Sequence, residues 1–276
     1  MLWLARIAVA VLGVSSSVSS VDLSKCWATT GNPPTLPNAN EAIVNTDYRG
    51  LYVSLNKNQA QLEPYYTPAV LPSTAPPTSS ILFATSILND AAGPQAQLNR
   101  QRLLRFIVSH QINALSFYDL YSVLADRKLT GAMQTFMTQA RQCGVTSISA
   151  IGGSQVEFAS IGTYMSNSTL AQAHKFDMLL TKIEYWNAGS GYSVDSFALL
   201  LKNIRSGSVS KSLINLPIAS YLGWFIDPNG KISGEQAIAN VFIPLLDRVY
   251  LHSYYGTDPS QAYGYTTTRL TVVQNA

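Results

Sequence analysis

The sequence predicts an α/β protein built as a (β/α)8 TIM-type barrel, incomplete at its C-terminus, and three observations carry that reading. Short apolar strand candidates alternate with amphipathic helical patterns at a spacing of about 30 residues, as βα units require. No glycine-rich phosphate turn follows the first strand, which argues against a doubly wound dinucleotide-binding sheet. Several strand candidates end in polar or aromatic residues, and a barrel gathers such ends at one mouth, where active sites of this architecture lie.

Along the chain, residues 1–20 (MLWLARIAVAVLGVSSSVSS) place one arginine before a short apolar run and a stretch of small residues. That is the pattern of a secretory signal peptide, and the run is too short to span a bilayer. The expected product is secreted, with no membrane contact after signal cleavage. Residues 21–45 are an irregular lead-in rich in Pro, Thr and Asn, and residues 46–276 form the barrel domain. A Pro-rich loop at 56–80 is inserted early in that domain, because its prolines deny both helix and central strand.

Strand candidates follow at 51–55, 81–88, 114–120, 147–152, 178–186, 214–222 and 248–255. Between them, Leu103, Phe106 and Ile107 share one helical face, as do Met133, Phe136, Met137 and Ala140, with Gly144 placed to end that helix. Phe197, Leu200, Leu201 and Ile204 repeat the pattern, and Ser233 with Gln236 is spaced as a capping box. The tail TTTRLTVVQNA reads as one more strand, although no helix precedes it. The strand count falls short of eight.

Composition narrows the function. Charged residues are 12% of the chain, about half the usual share, and the net charge is only +3. There is no basic stripe with interleaved aromatics, so nucleic acid is not the expected partner. Two cysteines, Cys26 and Cys143, permit one disulfide in an exported chain, or two buried thiols. With three histidines and no Cys/His cluster, no metal and no cofactor are expected. His110 and His174 read as surface residues and His252 as a hydrogen-bonded interior residue. Fifteen tyrosines and four tryptophans offer ring faces for stacking on sugars. One glycosylation sequon, Asn167-Ser168-Thr169, sits in an expected loop.

The most informative segment runs from Asp177 to Trp186 (DMLLTKIEYW). Strand alternation puts Leu180, Lys182 and Glu184 on one face, and in a barrel that face points inward with Glu184 at the rim. A carboxylic acid screened there by Tyr185 and Trp186 can hold its proton and deliver it to a leaving oxygen. Lys182 on the same face works the other way and favours the ionised acid. Asp119 is the first choice for a second carboxylate and Glu157 the next. Gly152-Gly153-Ser154 is spaced as an anion-binding turn at a helix start.

These residues resemble the chitinase family of glycoside hydrolases. The family's fourth strand carries Asp at the first, fourth and sixth positions and Glu at the eighth of one run, with Tyr following. Here those positions are Asp177, Leu180, Lys182 and Glu184, with Tyr185 next. Gly152-Gly153 matches the glycines that end the family's third strand, and Tyr254 one tyrosine of a later strand, where Tyr255 replaces an Asp. The resemblance implies a TIM-type barrel acting on or binding a glycan or polysaccharide, with Glu184 as general acid. In that family the substrate's own acetamido group attacks the anomeric carbon, oriented by the acid two residues before the Glu. Lys182 cannot take that role. Three readings follow: a glycoside hydrolase using Glu184 and Asp119, a non-catalytic lectin-like protein holding glycans on Tyr185, Trp186, Tyr254 and Trp224, or an interior Lys182–Glu184 ion pair with no ligand. Oligomeric state is left open.

Overall fold

The computed structural model describes residues 112–251 and 259–276, the segment 50–54, and positions 26, 87, 88, 96, 100, 101, 103, 104, 107 and 108. The expected signal peptide, the Pro-rich loop, Phe106, His110, His252, Tyr254 and Tyr255 lie outside the described residues.

Six strands form one wholly parallel sheet in the order β1-β2-β3-β4-β5-β6. They are β1 (Gly50–Ser54), β2 (Ala114–Tyr118), β3 (Ser147–Gly152), β4 (Met178–Thr181), β5 (Ile218–Leu222) and β6 (Arg248–Leu251). The helices are α1 (Leu120–Ala125), α2 (Arg127–Gln142), α3 (Gln155–Met165), α4 (Val194–Arg205), α5 (Glu235–Phe242) and α6 (Pro259–Gln274). The chain is thus an α/β protein whose strands are laid down in sequence order, with no reversal of direction. A doubly wound sheet reverses at its switch point, and this one does not. Among the described residues β1 and β6 are the sheet edges.

The main core lies between the sheet and its helices. Leu115 and Phe117, Ile148 and Ala150, Leu179, and Ile218 and Leu222 point into it from successive strands. The predicted helical faces meet them: Met133, Phe136, Met137 and Ala140 are all fully buried, as are Phe197, Leu201 and Ile204. The opposite face of the sheet is smaller and mixed. Ile151, Met178, Leu180 and Ala219 cluster there, edged by Tyr118 and Tyr250. Burial on both faces is what a parallel sheet requires.

At the base of the sheet, where the strands begin, one device occurs twice. Arg141, in the last turn of α2, donates to the carbonyls of Ala173 and Lys175 and to Asp177 Oδ2 at 2.8 Å. The same Asp177 oxygen accepts the Ile148 amide at 2.7 Å, and Asp177 returns its own amide to the Ile148 carbonyl. Arg205, in the last turn of α4, bonds the Leu245 carbonyl and Asp247 Oδ2, and Asp247 exchanges the same pair of bonds with Ile218. The spacing from isoleucine to aspartate is 29 residues both times. Each clamp ties a helix C-terminus to two neighbouring strands, and each arginine suits the negative end of its helix dipole. Asp177 therefore works at the base, at the far end of β4 from Glu184.

The base also carries the disulfide. Cys143 caps the C-terminus of α2 and is bonded to Cys26, with Cα atoms 4.9 Å apart. Of the two expectations for the cysteines, the bridge is the one realised. Gly144 follows with φ 98°, a backbone only glycine takes easily, and ends α2 as expected.

Several expected boundaries shift. Positions 182–186 and 214–217 fall outside the strands, and Ile87 and Leu88 are buried in a bend rather than in a strand. The tail is helix α6, not a strand. Its β-branched residues suggested extended backbone, but Thr268 and Thr271 donate their hydroxyls to the carbonyls one turn back, and Arg269 buries itself over Trp224. Ser233 does not cap α5: Gly234 occupies the cap position with φ 90°, and Gln236 reaches instead to Asn240 and the Val272 carbonyl. The capping box lies on α4, between Ser193 and Ser196. His174 is half-buried rather than on the surface, bonded to the Thr138 hydroxyl.

Candidate functional site

The strands end at the mouth of the sheet, and there the chain leaving β4 keeps its alternation for four more residues. Thr181, Ile183 and Tyr185 are buried, while Lys182 and Glu184 are exposed. The Ile183 amide donates to the Thr181 hydroxyl at 3.2 Å, which holds the extended path once the ladder has ended. Glu184 is therefore delivered to the mouth just beyond a strand rather than on it, on the side away from the helical core. With Lys182, Asn187 and Tyr192 it lines an open cavity of about 320 Å³, floored by Gly153 and Ile183.

Glycines shape the floor. A side chain on Gly152 would meet the buried Phe158 ring at 2.8 Å, and one on Gly153 would crowd Lys182 Cε at 3.3 Å and Glu157 Oε2 at 3.4 Å. Ser154 caps α3 by accepting the Glu157 amide, and the Glu157 carboxylate reaches back to accept the Gly153 amide. The Gly152-Gly153-Ser154 turn is thus filled by the chain's own carboxylate, and the expected anion site there is already occupied by Glu157.

Lys182 stands over a tyrosine ring. Its Nζ lies 4.9 Å from the centre of the Tyr118 ring, across β3. Among the described residues Lys182 and Glu184 form no ion pair and both are exposed, so the interior-pair reading is overturned. Two sheet spacings separate β4 from the strand that carries Tyr118, a span the long lysine side chain crosses.

Asp119 does not line the cavity. It follows β2, half-buried, in left-handed backbone with φ 63°, and precedes α1 without a side-chain cap bond. Asp tolerates that conformation better than most residues. Glu157 does not line the cavity either, but it engages two residues that do: its carboxylate accepts the Gly153 amide, and its charge reinforces burial in raising the Tyr192 phenol. Tyr192, Asn187 and Ser190 were missed by sequence reasoning. Their signal is the turn-rich run Asn187-Ala188-Gly189-Ser190-Gly191, where Asn187 Oδ1 accepts the Gly189 amide and Gly191 has φ 74°.

The aromatic residues divide. Trp186 and Trp224 come together with ring centres 6.2 Å apart, and Tyr221 joins them at 6.0 Å from Trp186. Both indoles are half-buried. Gly223 makes room: a Cβ there would sit 2.6 Å from the Trp186 ring. Arg269 covers one side of Trp224, with its guanidinium carbon 4.8 Å from the ring centre. Tyr185 is not a surface for sugar. Its ring is fully buried, stacked on Phe197 at 5.3 Å and edged by Phe242 at 4.9 Å. Its hydroxyl donates to the Trp224 carbonyl at 2.9 Å, so it positions the loop that carries Trp224. Burial, with the Glu235 charge added, pushes that phenol well above the ordinary range, and it remains a donor.

No protein-family model, no curated protein and no solved structure matches the chain. Among the described residues no group of His, Cys, Asp and Glu is arranged to hold a metal, and no helix is long and apolar enough to cross a membrane.

Proposed function

We propose that this chain is an exported glycan-binding protein of the chitinase-like, (β/α)8-barrel type, holding sugar at the mouth of the sheet without cleaving it. The observation that carries the reading is one turn, 182–192, that presents Lys182, Glu184, Asn187 and Tyr192 to a single cavity and places Trp186 against Trp224. Hydrogen-bonding groups beside indole faces suit a ring with both hydroxyls and apolar C–H edges. The unreversed strand order supports the barrel, which winds in that manner. The signal-like N-terminus and the Cys26–Cys143 bridge support export.

Three features favour binding over hydrolysis. Glu184 is exposed rather than enclosed. Lys182 occupies the place of the acid that orients an acetamido group. Glu157 is engaged by the Gly153 amide. The hydrolase reading has one observation in its favour, that Glu157 bonds the amide of Gly153, a residue of the cavity that Glu184 lines.

Calorimetric titration with a panel of β-linked oligosaccharides, run beside hydrolysis of fluorogenic glycosides, separates the two. Binding predicts affinity about tenfold weaker in Trp186→Ala and nearly unchanged in Glu184→Gln, with no turnover by either. Turnover in wild type that vanishes in Glu184→Gln would establish the hydrolase instead. Wild type that binds no glycan ends both. Glu184→Gln should leave the melting curve within about 0.5 kcal/mol of wild type, as for an exposed, unpaired position.

A further inference from the structure

The sequon Asn167-Ser168-Thr169 lies in the turn that follows α3, on the way to β4, and all three residues are exposed. Its shape is defined. Asn167 Oδ1 accepts twice from one residue, from the Thr169 amide at 3.0 Å and from the Thr169 hydroxyl at 2.8 Å. The Leu170 amide then donates to the Asn167 carbonyl at 3.1 Å and closes the turn. Among the described residues no acceptor takes the Asn167 Nδ2 amino group, so it faces solvent. The side-chain oxygen is held, the nitrogen is open, and the hydroxyl required by the sequon sits against the amide that would be modified.

The position in the fold matters as much as the local shape. A helix-to-strand connection lies at the base of a parallel sheet, and the candidate cavity lies at the mouth. A bulky hydrated chain at residue 167 therefore projects away from Glu184 and Trp186. It also meets no packed surface, since Ser166, Ser168 and Thr169 around it are exposed. A chain with only 12% charged residues gains a large polar cover there.

We propose that Asn167 is an N-glycosylation site of this protein, taking an N-acetylglucosamine-linked oligosaccharide from a lipid diphosphate donor. In the transfer a bond forms between Asn167 Nδ2 and the anomeric carbon of the sugar. The bond between that carbon and the diphosphate oxygen breaks, and one Nδ2 proton leaves with the released lipid diphosphate. The sequence holds no second Asn-x-Ser/Thr triplet, so one glycan is expected per chain. The inference rests on the export reading, because the donor acts only in the secretory lumen.

The test expresses the full chain in a eukaryotic secretory host, once with its own N-terminus and once behind a known cleavable leader. Cell lysate and medium are treated with an amidase that releases N-glycans. The leader-led chain should show one discrete mobility step that disappears on treatment. That step should be absent in Asn167→Gln and in Thr169→Ala, and retained in Thr169→Ser. A leader-led chain that reaches the medium without the step overturns the site, as does a step that survives Asn167→Gln. If the leader-led chain is glycosylated while the chain with its own N-terminus stays cytosolic and unmodified, the site stands and the export reading falls. Glycan binding by the Asn167→Gln protein should match wild type, because the modified turn lies at the opposite end from the cavity.

Discussion

The two ends of the sheet use charge in opposite ways. At the base, Oδ2 of Asp177 and of Asp247 each accepts from an arginine and a strand amide; Arg141 also takes the Ala173 and Lys175 carbonyls and Arg205 the Leu245 carbonyl. At the mouth, Lys182 turns to a tyrosine face and Glu184 stands exposed on an open cavity with no ion pair among the described residues. The chemistry is the same in kind, cations and carboxylates on neighbouring elements. What differs is whether the partners are fixed by backbone. A group bonded to strand amides cannot turn to a ligand without breaking the sheet; a group beyond the strand end can. Stability is thereby built into the base, and the proposed recognition would fall to the mouth, the end at which parallel α/β sheets hold their ligands.

The largest expected effect is at the base. The Cys26–Cys143 bridge closes a loop over a separation of 117 residues, and loop-closure entropy for a ring of that size amounts to about 4–5 kcal/mol. Replacing both cysteines by serine should lower stability by an amount of that order in chemical denaturation, while glycan affinity well below the melting range stays the same. A loss below about 1 kcal/mol would show that the N-terminal segment is held by something else.

The clamps come next, and they should not be equal. Asp177→Ala removes a charge-assisted bond and strands the Ile148 amide in a buried strand, at a cost of about 1.5–3 kcal/mol. Asp247→Ala breaks the same topology where the aspartate is 42% exposed, against 33% for Asp177, so water replaces more of what is lost and about 1 kcal/mol is expected. Thermal melts of both variants rank them. Equal costs would mean that the strand amide, not the ion pair, sets the penalty.

How far the sequence led follows the same division. Strands Ala114–Tyr118 and Ser147–Gly152 and the buried faces of α2 and α4 were legible because apolar residues recur there at the period of the element. That Lys182 and Glu184 share a face was legible from alternation alone, even though β4 stops at Thr181; that face was expected to point inward, and both side chains are exposed because they lie beyond the strand. The same alternation puts Tyr185 in the core with Ile183, and expecting a sugar surface there weighted residue type over position. Other features are non-local. Lys182 meets Tyr118 across an intervening strand, and Glu157 reaches the floor through a helix cap. The clamp at Asp177 needs Arg141, 36 residues away, and the helical tail needs Trp224 to receive Arg269. No period in the sequence encodes those pairings.

A smaller effect links the core to the mouth. Tyr185→Phe keeps the ring stack on Phe197 but deletes the hydrogen bond to the Trp224 carbonyl, a loss of about 1 kcal/mol. If that bond positions the Trp224 loop, glycan affinity falls in Tyr185→Phe although the hydroxyl is buried. A stability loss with unchanged affinity would restrict Tyr185 to packing.

The smallest expected effect concerns a mouth carboxylate that, like those at the base, is held by backbone amides. Asp227 follows β5 in the loop that carries Trp224. Desolvation works against its charge, but the amides of Ile232, Asn229 and Lys231 and the Lys231 charge outweigh it and hold the carboxyl below its ordinary value of 3.8. A carboxyl depressed in the folded state stabilises the fold fully above its unfolded value and loses that contribution as pH falls through the folded one. The melting temperature of wild type should therefore decline as pH drops below about 3.8, and the decline should be shallower in Asp227→Asn, whose amide oxygen does not titrate. The gap between the two proteins should be constant near neutral pH, where the Asp227 contribution is complete, and should narrow as pH falls into the acid range. Parallel curves for the two proteins across the acid range would mean that the loop is not held by this charge, and that the mouth lacks the fixed anchoring that marks the base.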